Sequence, residues 1–324
     1  MLANILITSA GRRVSLLKAF QKELSSRFKG SEVYAADYDP ELAPACHVAS
    51  KSFRVPKISD ASYCTELLEI CRAQDIRLVI PTLDSELMIM AENAEEFKKH
   101  GIQIIISAPE FVQVCRDKRS VNTFFQSRGI EIIREYSKQD YKLPLFIKPL
   151  DGSGAANTHI VFSDNQISQH QLQDVNLMFL QYIDKKEYDE FTLDLYYDKA
   201  GKLRCVVPRK RLEVREGEVS KGVTCRNSLI PFIKAKLGEI RGVRGCITLQ
   251  LFKEKTGEHI AGIEINPRFG GGYPLSYLAG ANYPAWIIQE YLLDEVLDDQ
   301  FDCWEEDLLL LRYDDEILSH GFKG

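Results

Sequence analysis

The stretch GCITLQLFKEKTGEHIAGIEINPRFGGG (245–272) decides how this chain must fold. CITLQLF (246–252) and HIAGIEIN (259–266) are rich in β-favouring residues, and the turn-like KEKTGE between them carries Gly257. The pair therefore reads as two strands joined by a short turn. Glu264 and Asn266 are two apart and so face the same side of their strand. Gln250, on the preceding strand, offers a further oxygen. Oxygen is the hard ligand that Mg²⁺ takes when it also binds phosphate. Arg268 stands just past the strand end, where it can hold a transferring phosphoryl group. Gly270, Gly271 and Gly272 permit close substrate approach. The plainer reading is a half-buried strand with a polar outer face. An acid, an amide and an arginine clustered before three glycines weigh against it.

Working upstream, VVPRKRLEVREGEVSKGVT (206–224) places Arg209 and Arg211 on one strand face, with Lys221 after a turn at Glu216-Gly217. These cations can grip carboxylate and phosphate oxygens, or they belong to an exposed hairpin of alternating charge. FLQYIDKKEYDEFTLDLYYD (179–198) holds an apolar strand ending near Gln181-Tyr182-Ile183, with Glu190 opening the next. Backbone groups there can read a base edge and a carboxylate can accept from ribose. On pattern alone, two core strands with a charged connection explain it better. FIKPLDGSGAAN (146–157) runs from a strand ending in Lys148 into Gly152, Ser153, Gly154 and Ala155. Small residues let backbone N–H groups point at phosphates, and a lysine adds a point charge. A plain hairpin turn fits equally, and the Walker order G-x-x-x-x-G-K-[ST] is missing.

The first 110 residues read differently. Strands at 2–9, 31–37, 76–81 and 102–107 alternate with helices at 14–24, 61–74 and 85–100. That order implies a doubly wound parallel sheet with ligands beyond the carboxyl ends of its strands. Those ends carry Ser9-Ala10-Gly11, Asp37-Tyr38-Asp39 and Thr82-Leu83-Asp84. The first turn is S-A-G-R-R, so the dinucleotide fingerprint G-x-G-x-x-G is absent. Arg12 and Arg13 either meet an anionic substrate or form the first exposed turn of a helix. Asp84 and Glu86 are candidates to face an amine. A helix over 115–129 and another over 229–241 follow, with hairpin-like strands from 130 onward. The fold class is thus an α/β lobe, 1–110, followed by an α+β lobe, 111–324.

With 324 residues the chain predicts roughly two domains. Hydrophobic residues at 45% and charged residues at 27% exclude wholesale disorder. A net charge of 41 − 47 = −6 makes nucleic acid an unexpected partner. No apolar run approaches a membrane span, and the N-terminal apolar stretch precedes its arginines, the reverse of a secretory signal. The expectation is a cytoplasmic protein with no membrane contact. The eight cysteines show no C-x-x-C pair and the six histidines no metal-ligand spacing, so both read as ordinary core and surface residues.

Lys118 in CRDKRS, Lys148 in FIKP, the loop DGSGAAN, LQYI with Glu190, Gln250 and EINPRFGGG, in this order, resemble the ATP-grasp superfamily. The likeness is to its carbamoyl-phosphate-synthetase-like carboxylate–amine ligases and covers most of the chain. The resemblance implies a pre-ATP-grasp domain over 1–110. An ATP-grasp domain over 111–324 would follow, with a small ATP-covering subdomain at about 130–183 and a larger metal-binding one at about 184–324. It implies ATP held by Lys118 and Lys148, covered by the loop 152–156, with Gln181, Tyr182 and Ile183 at adenine and Glu190 at ribose. Gln250, Glu264 and Asn266 would hold Mg²⁺, usually two ions, with Mn²⁺ able to substitute. Arg268 would steady an acyl-phosphate step, and Arg209, Arg211 and Lys221 would lie near the γ-phosphate and the acid. Many relatives carry Glu where this chain has Gln181, so its adenine contact is expected from the backbone only. The implied activity joins a small-molecule carboxylate to an amine, in a family where homodimers are common. The rivals are a kinase-like or carboxyphosphate-forming enzyme and a non-catalytic ATP sensor. The chain is too short for the tandem modules of carbamoyl phosphate synthesis itself, which is not expected.

Overall fold

The computed structural model describes residues 2–150, 157–215 and 217–322. The N-terminal lobe alternates β1 (Asn4–Thr8), α1 (Val14–Arg27), β2 (Val33–Asp37), α2 (Pro44–Val48), β3 (Ser52–Arg54), α3 (Tyr63–Ala73), β4 (Ile76–Pro81), α4 (Leu87–Lys99) and β5 (Gln103–Ile104). The strands form a five-stranded sheet in the order β3-β2-β1-β4-β5, with every pairing parallel. All of β1 and most of β2 and β4 are buried, as strands covered by helices on both faces must be. The strand expected over 102–107 pairs only across β5.

The single helix expected over 115–129 is two: α5 (Pro109–Arg116) and α6 (Lys118–Ser127). Asp117 takes an extended backbone, and its carboxylate accepts from the N–H groups of Arg119 and Ser120, both at 2.8 Å. It thereby caps a new helix and makes Lys118 the first helical residue.

Next come β6 (Glu131–Ile132), which joins the large sheet, and β7 (Glu135–Tyr136), β8 (Leu145–Pro149), β9 (His159–Val161), α7 (Gln169–Gln173) and β10 (Leu177–Gln181). β7, β10, β8 and β9 form a small antiparallel sheet in that order. The large sheet uses β11 (Tyr188–Tyr197), β12 (Leu203–Arg215), β13 (Glu218–Thr224), β14 (Gly245–Glu254), β15 (Ile260–Asn266) and β16 (Leu309–Leu311). Its order is β16-β13-β12-β11-β14-β15-β6, antiparallel except where β6 meets β15. The helices α8 (Leu229–Leu237), α9 (Tyr273–Leu278) and α10 (Tyr283–Leu292) complete the chain. α8 stops short of the expected residue 241. Leu203 N–H donates to Gly238 O at 2.9 Å and Lys202 bridges Glu239, so residues 238–239 are drawn to the start of β12.

The large sheet is covered on both faces. Leu193, Val206, Leu249 and Ile265 pack with Phe125 of α6 and Ile233 of α8. On the other face Tyr196, Cys205, Val207 and Cys246 join Leu17, Phe20 and Leu24 of α1 in a shared core. Phe20 meets Phe269 edge to face at 5.9 Å, a ring-pair geometry that adds to area burial. The two lobes therefore meet through an apolar seam, and the chemistry-bearing strand ends lie beside it.

Candidate active site

Lys148 sits next to last on β8, opposite Met178 of β10. Burial and the nearby charge of Lys118 lower its pKa, while Glu264 and Glu135 act the other way. Glu264 belongs to the large sheet, so an ammonium group of the small sheet and a carboxylate of the large one lie within electrostatic reach. Lys118 donates from Nζ to Pro149 O at 2.8 Å, which ties the start of α6 to the end of β8. Gly152, Ser153, Gly154 and Ala155 lie outside the described residues.

On the large sheet the register aligns the polar residues. Thr192 of β11 opposes both Gln250 of β14 and Arg209 of β12, and Gln250 opposes Glu264 of β15. Asn266 Nδ2 donates to Glu264 Oε1 at 3.0 Å, which turns the amide oxygen away from that contact. Arg211 lies at 3.0 Å from Glu190 Oε1, and it donates to Gln250 Oε1 and Gly217 O, each at 3.1 Å. Its Nε is buried with no partner among the described residues, so one donor of this guanidinium remains to be satisfied. Glu190, Arg211, Gln250, Glu264 and Asn266 thus form one polar tract on the large sheet, and its Glu264 lies within electrostatic reach of Lys148.

Among the described residues no group of three or more His, Cys, Asp and Glu is placed to hold a metal. Glu264 offers a carboxylate and Gln250 and Asn266 offer amide oxygens, donors that can hold a hard cation. An incomplete set of hard oxygens of this kind fits Mg²⁺, which keeps waters and takes the rest of its shell from phosphates.

Gln181 ends β10 opposite Leu145, is exposed, and its N–H donates to Arg134 O at 2.9 Å. The ring of Tyr182 meets that of Phe162 edge to face at 6.1 Å. Ile183 is half-buried beside them.

Arg209, Lys221 and Glu86 each have a partner of their own. Arg209 is 2% exposed and forms a bidentate pair with Asp194, at 2.8 and 3.1 Å. Ser276 Oγ also donates to Asp194, at 2.5 Å, so the guanidinium is committed to the interior and is no open anion grip. Lys221 is half exposed and bound to Glu213 at 2.7 Å, at an irregular part of the β12–β13 register. Glu86 is fully buried: it accepts from the N–H groups of Thr82 and Leu83, from Ser9 Oγ and from Tyr63 OH, and so shapes the end of β4 without facing an amine.

Arg268 binds Asp84 across the lobes, Nε to Oδ1 at 2.9 Å and Nη2 to Oδ2 at 2.5 Å. Around this pair lie charges that sequence reasoning did not assemble. Arg13 has its pKa lowered by burial and by the positive charge of Arg268, and donates to Thr82 O at 3.5 Å. Glu218 is bound by Arg312 at 2.8 Å. Burial works against its ionisation, but that hydrogen bond and the charges of Arg13, Arg312 and Arg12 hold its pKa below the usual value. Arg312 was hidden because it lies in the acidic C-terminal segment and reaches the site only through the pairing of β16 with β13. Asp194 had a visible cue, a carboxylate inside the apolar run FTLDLYY.

Two family matches divide the chain. Residues 5–105 match the family described as PylC-like, N-terminal domain. Residues 173–308 match the family described as ATP-grasp in the biosynthetic pathway with Ter operon. No curated protein matches the sequence. Among solved structures, Rhizobium etli pyruvate carboxylase aligns with a TM-score of 0.69 and 12% identity, over 95% of this chain and 30% of that one. The present chain therefore spans under a third of that enzyme. The biotin carboxylase domain of Hydrogenobacter thermophilus 2-oxoglutarate carboxylase, solved with MgADP, ADP and bicarbonate, gives 0.72 and 13% over 95% and 73%. L-amino acid ligase from Bacillus licheniformis gives 0.65 and 16% over 90% and 74%. Residues 173–308 thus match an ATP-grasp family, and nine-tenths or more of the chain shares the fold of these solved enzymes.

Proposed function

We propose that this chain is an ATP- and Mg²⁺-dependent ligase that activates a small-molecule carboxylate as an acyl-phosphate and passes the acyl group to an amine. The carrying observation is that Glu264, on the large sheet, lies within electrostatic reach of Lys148, on the small one. Lys118 and Lys148 take the phosphates of ATP. The backbone at Tyr182 and Ile183 reads the adenine edge, and Glu190 accepts from ribose. Gln250, Glu264 and Asn266 hold Mg²⁺, which when bound offsets charge on the triphosphate and the acid. The carboxylate attacks the γ-phosphorus, ADP leaves, and the amine then displaces phosphate from the acyl carbon. The protein's part is positioning and charge, since two anions must be brought together. Arg268, held in place by Asp84, steadies the phosphoryl group in transfer. Arg12 and Arg13, at the end of β1, attract the acid's negative charge. The solved relatives include an amino acid ligase and a carboxylase domain with bound MgADP and bicarbonate, both consistent with this class of chemistry.

ADP release measured against panels of acids and amines tests the reading. Release that requires both an acid and an amine, and that falls to background in Lys148→Ala and Glu264→Ala, is expected. Release driven by bicarbonate without an amine indicates the carboxyphosphate reaction instead. ATP binding with no turnover on any pair indicates a sensor.

A further inference from the structure

Residues 299–304 cross the start of β12. Gln300 N–H donates to Arg204 O at 2.8 Å, and Arg204 Nη1 binds Asp299 at 2.8 Å. Trp304 is 3% exposed with the Arg226 guanidinium over its ring at 4.2 Å, and Arg226 also binds Asp302 at 3.1 Å. A Cβ at Gly280 would come within 2.6 Å of the Cys303 carbonyl oxygen, so this segment is pressed closely onto the body of the protein. These contacts set Cys303 directly on Cys205, the residue after Arg204. The Cys205 side chain is hydrogen-bonded to that of Cys303, and Cys303 Sγ lies 3.2 Å from Gln300 O. Cys205 is fully buried and Cys303 is exposed.

We propose that Cys303 and Cys205 form a reversible intramolecular disulfide, a modification site for peroxides in which Cys303 is oxidised first and Cys205 resolves it. The environments assign the order. The hydrogen bond from Cys205 lowers the pKa of Cys303 against the effect of its burial, helped by a backbone hydrogen bond and then by the charge of Arg226, whereas burial raises that of Cys205 well above the ordinary thiol value. An exposed cysteine whose pKa is lowered is the one that peroxide oxidises first. The Cys303 thiolate attacks one peroxide oxygen, the O–O bond breaks, and hydroxide leaves to give a sulfenic acid. Cys205 sulfur then attacks Cys303 sulfur, the S–O bond breaks, and the hydroxyl departs as water with the Cys205 proton. In sum two thiols are oxidised to one disulfide and one hydrogen peroxide is reduced to two waters. A small dithiol reverses it. The new bond fastens to β12 the segment that continues into β16 and Arg312, and so reaches Glu218 beside the cluster of arginines. This inference stands apart from the ligase reading.

The full chain is treated with one equivalent of hydrogen peroxide and mapped by mass spectrometry without reduction. A peptide linking residues 205 and 303, the loss of two free thiols, and restoration of both by dithiothreitol are expected. Cys303→Ser, at an exposed position, abolishes the linked peptide, and Cys225→Ser leaves it intact. Cys205→Ser leaves Cys303 as a sulfenic acid that dimedone captures. The wild-type mapping does not depend on any variant folding. Cys303 carried to sulfinic acid while Cys205 stays a free thiol, a bridge between two chains, or oxidation of Cys225 ahead of Cys303 would each overturn the proposal.

Discussion

Lys148 shows how a single side chain registers the charges around it. Its ammonium is half-buried beside Lys118, so the protonated form is disfavoured until an anion arrives. A triphosphate placed against both lysines reverses that balance and raises the pKa. Binding of ATP should therefore take up protons at alkaline pH, in the window between the lowered pKa of the free protein and the raised one of the complex. Calorimetry of ATP binding in buffers of different ionisation enthalpy measures the uptake. Lys148→Met should remove most of it and lower ligase kcat/KM by roughly 10²–10³, the scale set by losing one preorganised charge contact. Uptake that is the same in wild type and variant would assign the shift elsewhere. Arg209 carries the opposite lesson. It shares its strand face with Arg211, yet it is spent on Asp194 in the interior, and only the depth of each position separates the two roles.

At the scale of elements, the turn after β15 is shaped by what packs against it. Gly272 caps the start of α9, and a Cβ there would fall 2.2 Å from Arg209 Nη1 and 2.7 Å from Val219 Cγ1. Arg209 cannot yield without breaking its bidentate pair. Gly272→Ala should therefore cost about 1–3 kcal/mol, the range for overpacking a filled interior. Urea denaturation reads the loss, and an unchanged midpoint would show that Arg209 moves freely. This tightness also marks where sequence reading runs out. The β14–β15 pair was legible because its alternation puts Gln250, Glu264 and Asn266 on one face, and a period of two survives any tertiary context. The parallel lobe was legible from β-rich runs separated by helical ones. The break at Asp117 was missed because 115–129 keeps helical spacing across it, and only the cap contacts with Arg119 and Ser120 end one helix and begin another. β16 was missed because a short leucine run, 308–311, in an acidic tail has no strand signal of its own. Leu309–Leu311 become a strand by pairing with β13.

Across the whole molecule, the apolar seam through α1 fixes the N-terminal lobe against the large sheet, and the Asp84–Arg268 pair sits at the polar edge of that seam. Asp84 comes from the end of β4 and Arg268 from just beyond β15. The pair holds only while both lobes keep their relative placement. In the proposed reaction Arg268 acts on the phosphoryl group in flight, so Asp84 is a positioning residue that works through it. Asp84→Asn keeps the shape and removes the charge. The guanidinium then has freedom to swing, and the geometry of transfer loosens more than nucleotide binding does, because Lys118, Lys148 and Glu264 are untouched. We expect kcat to fall about tenfold or more, equivalent to roughly 1.4 kcal/mol of transition-state stabilisation, with the Kd for MgATP held within about twofold. Asp84→Glu, which can restore the charge at a longer reach, should recover part of kcat. If instead MgATP affinity falls in step with kcat, or the thermal midpoint drops in Asp84→Asn as far as activity does, the pair serves to hold the lobes together and Arg268 has no separate part in the chemistry.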